Sequence, residues 1–181
     1  MTLQAVLTDL SGQWQRLVEE LEDDLLWLVM QTKPQTNPEE EHALADHYVD
    51  GVHDLTSIAR EALEACRPFA QGTPTLAAAA AVLLRCQERY NALIELYDAR
   101  FTSYSWLREL EQFETSVWRE WANQIQKALA DCRTTMENVN RGLFRCWQEL
   151  TDRMGSAGLS VQTTNIGQQI TMPGAEVDSI T

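Results

Sequence analysis

The chain has 181 residues, of which 44% are hydrophobic and 23% charged, and its formal net charge is −13. This length suits one domain, or one domain with an appendage. The longest apolar run, Leu76 to Leu84, is nine residues, well below the roughly 18–20 that a bilayer crossing requires. The N-terminus has no basic segment typical of a signal peptide. We therefore expect a cytoplasmic protein that does not bind membranes.

The negative charge is concentrated in the first part of the chain. Residues 1–70 contain 14 acidic and 4 basic side chains, whereas residues 71–130 contain 7 and 6. Such a surface repels nucleic acid and anionic lipid, and no basic stripe offsets it. We therefore predict no nucleic-acid partner. The acidic face keeps the protein soluble, and it would also suit a basic protein partner.

The four cysteines lie on or beside apolar stripes, and no two of them form a CxxC pair. They are Cys66, Cys86, Cys132 and Cys146. A cysteine metal cluster needs close-spaced ligand pairs, which this sequence lacks. The spacing favours buried free thiols in a reducing compartment, with no metal and no cofactor.

The first predicted helix covers residues 3–32. One helical face carries Leu3, Leu7, Leu10, Trp14, Leu17, Leu21 and Leu28, with Leu25 beside Asp24. This spacing of three and four residues is typical of an amphipathic helix. Lys33 and Pro34 end the helix, because proline cannot continue the hydrogen-bond ladder.

The second and third predicted helices cover residues 38–67 and 74–101. Asn37, Pro38 and Glu40 form a capping box at the start of the second helix. Thr73 is the predicted cap of the third, with Pro74 at its first position. A bend is expected at residues 102–105, where three hydroxyl side chains can cap a new helix.

The fourth predicted helix covers residues 106–154, with Gly155 as its C-terminal cap. Its apolar stripe from Leu107 to Met154 takes 13 steps over 47 residues, a mean of 3.6. That is the period of a straight α-helix. At 1.5 Å per residue this helix would be about 70 Å long, against roughly 40–45 Å for the others. It would therefore extend beyond its neighbours by roughly 25–30 Å.

The extended part, around Asp131 to Met154, carries apolar side chains that need a cover. The cover could be another copy, a different protein, a fold-back near Gly142, or the tail, and we expect another chain. Trp118 lies off the stripe and is a further interface candidate. The predicted interaction residues of this helix are Trp118, Val139, Leu143, Phe144, Trp147 and Leu150.

Residues 156–181 differ from the rest of the chain in pattern and composition. Apolar and polar residues alternate, and no charged residue lies between Arg153 and Glu176. Period-two alternation rich in Thr, Val and Ile favours extended structure. The segment is predicted to be an arm that adds to a sheet edge of a partner or of another copy; a flexible terminus is the alternative. Its candidate contact residues are Leu159, Val161, Ile166, Ile170 and Met172.

Five acids fall within residues 19–24. The stretch from Glu20 to Trp27 is similar to the acidic helix of all-α nucleotide pyrophosphatases. The resemblance implies Mg²⁺ held by carboxylates of two helices, in an ExxE motif followed by ExxD. Here only the pairs Glu19/Glu22 and Glu20/Asp23 match a half-motif, and no ExxD follows at the expected distance.

The histidines give little support to a metal site. Glu39 to His42 matches the ExxH of di-iron bundles by letter, and Asp50 to His53 is a looser match. A di-iron site needs ligands from four helices, whereas both fragments lie on one. A solvated helix surface is the expected role.

The sequence thus predicts an all-α, antiparallel bundle of about four long helices over residues 1–155, with an extended, β-prone arm over 156–181. The predicted function is a non-catalytic interaction module, an adaptor or accessory subunit that binds a protein partner or its own copies. It would dock through the distal part of the fourth helix and the arm. Two alternatives stay open: a Mg²⁺- or Mn²⁺-dependent hydrolase using carboxylates of the first two helices, and an acidic inhibitor of a basic protein.

Overall fold

A computed structural model describes residues 2–35, 39–112, 116–156, 160–163 and 168–171. The six α-helices are α1 Leu3–Glu19, α2 Trp27–Thr32, α3 Glu39–Cys66, α4 Leu76–Tyr97, α5 Tyr104–Glu111 and α6 Ser116–Ser156. The π-helical turns Glu20–Leu26 and Asp98–Thr102 continue α1 into α2 and extend α4, and the 3₁₀ turn Arg67–Gln71 follows α3. The predicted helical bundle is confirmed. The capping box at Asn37 and Pro38 lies outside the described residues.

The long helical segments pack side by side as antiparallel neighbours. Near the start of α1, the Val6 carbonyl accepts a bond from Cys146 Sγ at 3.3 Å. At the end of α2, Thr32 Oγ1 accepts a bond from Trp121 Nε1 at 3.1 Å. Since Cys146 is late in α6 and Trp121 is early, the segment 3–32 runs antiparallel along α6.

The helices α3 and α4 form the second antiparallel pair. Arg89 bonds Glu61 at 2.9 Å, and Arg100, just after α4, bonds Asp54 at 2.9 Å. Later residues of α4 thus meet earlier residues of α3. Arg60 pairs with Glu22 and joins α3 to the first segment. Contacts between α4 and α6 close the ring of four.

A single apolar core runs through this ring. Each of the four segments contributes fully buried side chains, and the largest are Trp14, Trp118, Tyr48, Phe101, Leu7, Leu10, Leu17, Leu21, Leu25, Leu44, Leu55 and Leu83. Burial of this kind contributes about 1.5–3 kcal/mol for each large apolar side chain. The core therefore accounts for most of the favourable folding energy.

Two predicted caps are wrong. Thr75, not Thr73, begins α4: its backbone is extended and its hydroxyl accepts a bond from Ala78 N at 3.1 Å. The helix α6 continues through Gly155 to Ser156, so this glycine does not end it. An N-cap is fixed by the hydroxyl that reaches the third amide beyond it, which residue type alone does not decide.

The predicted bend falls at Ser103, but the single helix predicted over 106–154 is wrong. Ser103 is extended, and its hydroxyl accepts a bond from Trp106 N at 3.3 Å at the start of α5. After α5, Gln112 forms a tight turn whose N–H bonds the Glu109 carbonyl at 3.1 Å. A new helix begins at Ser116. The stripe through residues 107–154 therefore does not belong to one helix.

The uncovered end of the fourth helix is also absent. The N-terminal half of α1 lies on it: a methyl of Leu10 comes within 3.2 Å of a Cβ placed at Gly142, and Asp9 lies 4.0 Å from Arg145. The predicted overhang followed from treating residues 106–154 as one helix of about 70 Å. The break between α5 and α6 lets α6 slide along the first segment instead, which covers its distal half.

Two short strands follow the bundle. Ser160–Thr163 (β1) and Gln168–Thr171 (β2) pair antiparallel, with Val161 opposite Ile170. Residues 157–159, 164–167 and 172–181 lie outside the described part of the chain. None of the helices in the described ranges has the length and apolarity that a membrane crossing needs.

Gly51 and Gly12 should respond oppositely to replacement by alanine. A methyl group on Gly51 would overlap the Phe101 ring, whereas nothing lies within 4 Å of one on Gly12. Alanine is favoured over glycine in a helix by about 1 kcal/mol, but overpacking a core costs about 1–3 kcal/mol. We expect Gly12→Ala to raise the free energy of unfolding, measured in urea, and Gly51→Ala to lower it. A gain from both would show that the Phe101 ring moves freely.

Candidate interaction site

The predicted docking residues of the fourth helix are mostly in the core. Val139, Leu143 and Leu150 are fully buried within this one chain, and Trp147 is nearly so. They cannot meet a partner in the folded state, because α1 already covers them. Phe144 is the exception, since 63% of its side chain is exposed.

Trp118 is likewise a core residue and not an exposed interface residue. It is fully buried and packs edge-on against Trp121, with ring centroids 5.3 Å apart. Its neighbour Val117 takes the outward position instead. The predicted stripe of the fourth helix placed Val117 inside and Trp118 outside because it assumed one unbroken helix from residue 106 onward. Because α6 begins as a separate helix at Ser116, its buried face is not a continuation of the buried face of α5.

The predicted contact residues of the arm are only partly described. Val161 and Ile170 face each other as a backbone pair between β1 and β2. Leu159, Ile166 and Met172 lie outside the described residues. Docking through the arm therefore stays a prediction.

Exposed apolar side chains are found mainly at the end of the bundle opposite to Phe144. There, α2, α5 and the start of α6 come together, as the bond between Thr32 and Trp121 shows. The exposed large apolar residues at this end are Trp27, Met30, Tyr104, Leu107 and Val117. Trp27 is exposed by 60% of its surface. Nothing in the apolar periodicity singles these residues out.

A groove lies between the first segment and α6. It has a volume of about 480 Å³. Its acidic lining residues are Glu20, Asp24 and Asp131, and its apolar ones are Leu25, Leu28, Ala128 and Cys132. We call it the acidic groove. Arg16, Thr134, Thr135 and Asn138 complete its lining.

The carboxylate of Glu20 is held in place from both sides of the acidic groove. It accepts bonds from Arg16 Nε at 3.0 Å and from Thr135 Oγ1 at 2.5 Å. Glu20 opens the π-helical turn, so this turn is tied directly to α6. Burial raises the pKa of the Cys132 thiol to about 12, and the nearby charges of Glu20, Asp131 and Asp24 add to that shift. The groove therefore has a negative potential above an apolar floor.

A second groove lies at the other end, around Phe144. Its volume is about 640 Å³, and Val6, Gln87 and residues of α6 line it. Arg145, Glu149 and Asp152 give it mixed charge. Its charged lining residues are two acids and one arginine, against three acids and one arginine in the acidic groove.

The structure brings no metal-binding set together in its described part. No group of three or more His, Cys, Asp and Glu side chains there is placed to hold a metal ion. Glu22, one of the acids of the half-motif, is paired with Arg60. The side chains of Glu39, Glu40 and Glu41 are not described. No catalytic step is derived from these carboxylates.

The chain matches no protein-family model, no curated protein and no solved structure.

His47 belongs to an aromatic cluster beneath the exposed end. Its ring stacks on Trp106 with centroids 3.7 Å apart, and its Nε2–H donates to the Arg100 carbonyl at 2.9 Å. Phe101 and Tyr48 pack edge-on against the same ring. Burial lowers the pKa of His47 below 6.5, although the bond to the carbonyl and the charges of Glu109 and Asp50 oppose the shift. The neutral imidazole is therefore the folded form at neutral pH.

This lowered pKa predicts a loss of stability in mild acid. Between the folded pKa and 6.5 the unfolded chain binds more protons, so the contribution of His47 is full above about pH 6.5 and falls as the pH drops toward the folded value. We expect the urea midpoint of the wild type to fall from about pH 7.5 to about pH 5.5, and His47→Gln to fall less. The exposed His53 provides the control, since the urea midpoint of His53→Gln should fall as much as that of the wild type over the same pH range. An equal fall of the urea midpoint in His47→Gln and His53→Gln would show that the buried imidazole of His47 does not cause the acid sensitivity.

The bond between Thr135 and Glu20 should stabilise the bundle measurably. Thr135 is buried, and hydrogen bonds to charged groups contribute about 1.5–3 kcal/mol. We expect Thr135→Val to lower the free energy of unfolding by about 1–2 kcal/mol, while Thr134→Val, one position along and exposed, changes it by less than about 0.5 kcal/mol. Urea denaturation at neutral pH measures both. Equal effects would mean that the bond adds nothing.

Proposed function

We propose that this protein is a non-catalytic interaction module that binds a basic amphipathic helix of another protein. The docking site is the acidic groove together with Trp27 and Met30. The observation that carries the proposal is the large exposed indole of Trp27 on the helical segment that also supplies Glu20 and Asp24, two of the three carboxylates in the lining of the acidic groove.

Trp27 lies on the same helical segment as Asp24 and Leu28, which line the acidic groove. Within α2, residues three apart are neighbours, so Trp27 adjoins Met30. Asp24 lines the groove, and Asp23 is exposed. Tryptophan is among the residues most enriched at binding hot spots. An apolar anchor flanked by acids suits a helix with one apolar face and basic side chains along its border.

Charge complementarity favours a basic partner over a second copy. Residues 1–70 contain 14 acids and 4 bases, so two copies meeting through this face would bring like charges together. Like-charge contacts oppose association, whereas opposite potentials speed encounter and fix register. A partner rich in lysine or arginine therefore suits this face.

The dimensions of the acidic groove suit long basic side chains. Lysine and arginine bury their aliphatic stems on apolar surface while the charged head stays with acids or water. Leu28 and Ala128 offer apolar surface for the stem. Asp24 and Asp131 offer carboxylates for the head. The groove can thus select basic residues without enclosing a whole ligand.

Trp27 and Phe144 provide a matched pair of variants. They are exposed by 60% and 63% and lie at opposite ends of the bundle. The probe is a labelled Leu/Lys amphipathic helical peptide, followed by fluorescence anisotropy. We expect Trp27→Ser to weaken its binding at least about tenfold and Phe144→Ser to leave it unchanged. Both variants should keep wild-type stability within about 0.5 kcal/mol.

Further controls test the chemistry of the site. Asp24→Asn combined with Asp131→Asn should weaken binding and reduce its salt dependence, because screening acts on exposed charges. The same peptide with glutamate in place of lysine should not bind. Equal binding of both peptides, or loss through Phe144→Ser alone, would overturn the proposal. Light scattering that shows a dimer lost in Trp27→Ser would assign the site to a second copy instead.

A further inference from the structure

Cys66 and Cys86 form a close thiol pair inside the bundle. Cys66 is the last residue of α3 and Cys86 lies in α4, and their Sγ atoms are 3.0 Å apart. Both side chains are fully buried, and both thiols are free. This separation is about 1 Å longer than a disulfide bond. Nothing in the proposed interaction site uses either residue.

The other two cysteines have different surroundings. Cys146 donates from Sγ to the Val6 carbonyl at 3.3 Å, so its thiol is engaged between α6 and α1. Cys132 lies at the acidic groove on α6. The pairing of Cys66 with Cys86 is therefore favoured by geometry, with Cys146 as the nearest competitor because, in addition to burial, a charge on Cys66 raises the pKa of Cys146.

We propose that Cys66 and Cys86 are an oxidation site that forms a reversible intramolecular disulfide between α3 and α4. The oxidant is a small disulfide such as glutathione disulfide. One cysteine thiolate attacks it, which gives a mixed disulfide and releases one small thiol. The second cysteine attacks the protein sulfur of the mixed disulfide and releases the second small thiol. Two electrons and two protons pass from the cysteine pair to the small disulfide.

The end of α3 gives the oxidant a route to the pair. Arg67, Pro68 and the segment 71–73 that follow Cys66 are exposed, and the 3₁₀ turn 67–71 separates α3 from the start of α4. The turn itself packs on the core through the partly buried Phe69. Local opening of the turn breaks this contact and exposes Cys66 first. Cys86 resolves the mixed disulfide while the turn is still open, because water then reaches its thiol and the thiol can lose its proton, whereas in the closed fold the contact with Cys66 and burial keep it protonated.

The test uses the reduced full-length protein incubated with glutathione disulfide. We expect the thiol count in denaturant to fall from four to two, and trypsin, which cleaves after Arg85, to release a disulfide-linked pair of peptides carrying Cys66 and Cys86. Closure of this loop should raise the midpoint of thermal unfolding by about 5–10 °C over the reduced form. Addition of dithiothreitol should reverse all three changes.

Variants separate this pair from other reactions. Cys132→Ala should still lose two thiols, whereas Cys66→Ala and Cys86→Ala should each lose none to an internal bond. Four thiols persisting after incubation, a stable mixed disulfide, a bond to Cys146 or a bond between two chains would overturn the proposal. If a variant at the pair fails to fold, the linked peptides of the wild-type protein decide the question.

Discussion

The structure depends on the antiparallel packing of the first helical segment, residues 3–32, along α6. Cys146 donates to Val6 and Trp121 donates to Thr32 near the two ends of this contact. Between these points the first segment covers the apolar stripe of α6 within one chain. The helices α3 and α4 then close the other side of the core. The described helices thus enclose their own apolar core, and the exposed apolar residues lie outside it.

The sequence predicted the helical segments well because their signals are local. Apolar residues at spacings of three and four, together with Pro34 and the hydroxyl at Ser103, located the elements within a few residues. The sequence did not show which residues become buried and which exposed where a helix is interrupted and a new one begins. The π-helical turn 20–26 has more residues per turn than an α-helix, which rotates the residues after it around the helix axis. As a result Val29, and not Leu28, is fully buried in the core. The turn near Gln112 reverses Val117 and Trp118 in the same way.

The candidate site was missed for a related reason. The predicted docking residues were the apolar side chains of the fourth helix that were expected to extend beyond the other helices. That prediction depended on where each helix begins and ends, which the sequence did not locate correctly for the fourth helix. Trp27 and Met30 lie off the predicted apolar stripe of the first helix and are exposed, so that reasoning did not select them. The acids of the π-helical turn 20–26 were noticed, but as a metal half-motif. The structure instead pairs Glu22 with Arg60 and Glu20 with Thr135, which leaves Asp24 to line the groove.

The contact between the first and last helices also has a consequence for synthesis on the ribosome. The bonds that join them link residues 115 and 140 positions apart. At about 5–20 residues per second, the first helix waits on the order of ten seconds before α6 is made. During this interval its leucine face has only α3 and α4 to pack against. A three-helix intermediate with one open apolar side is therefore the form that meets chaperones first.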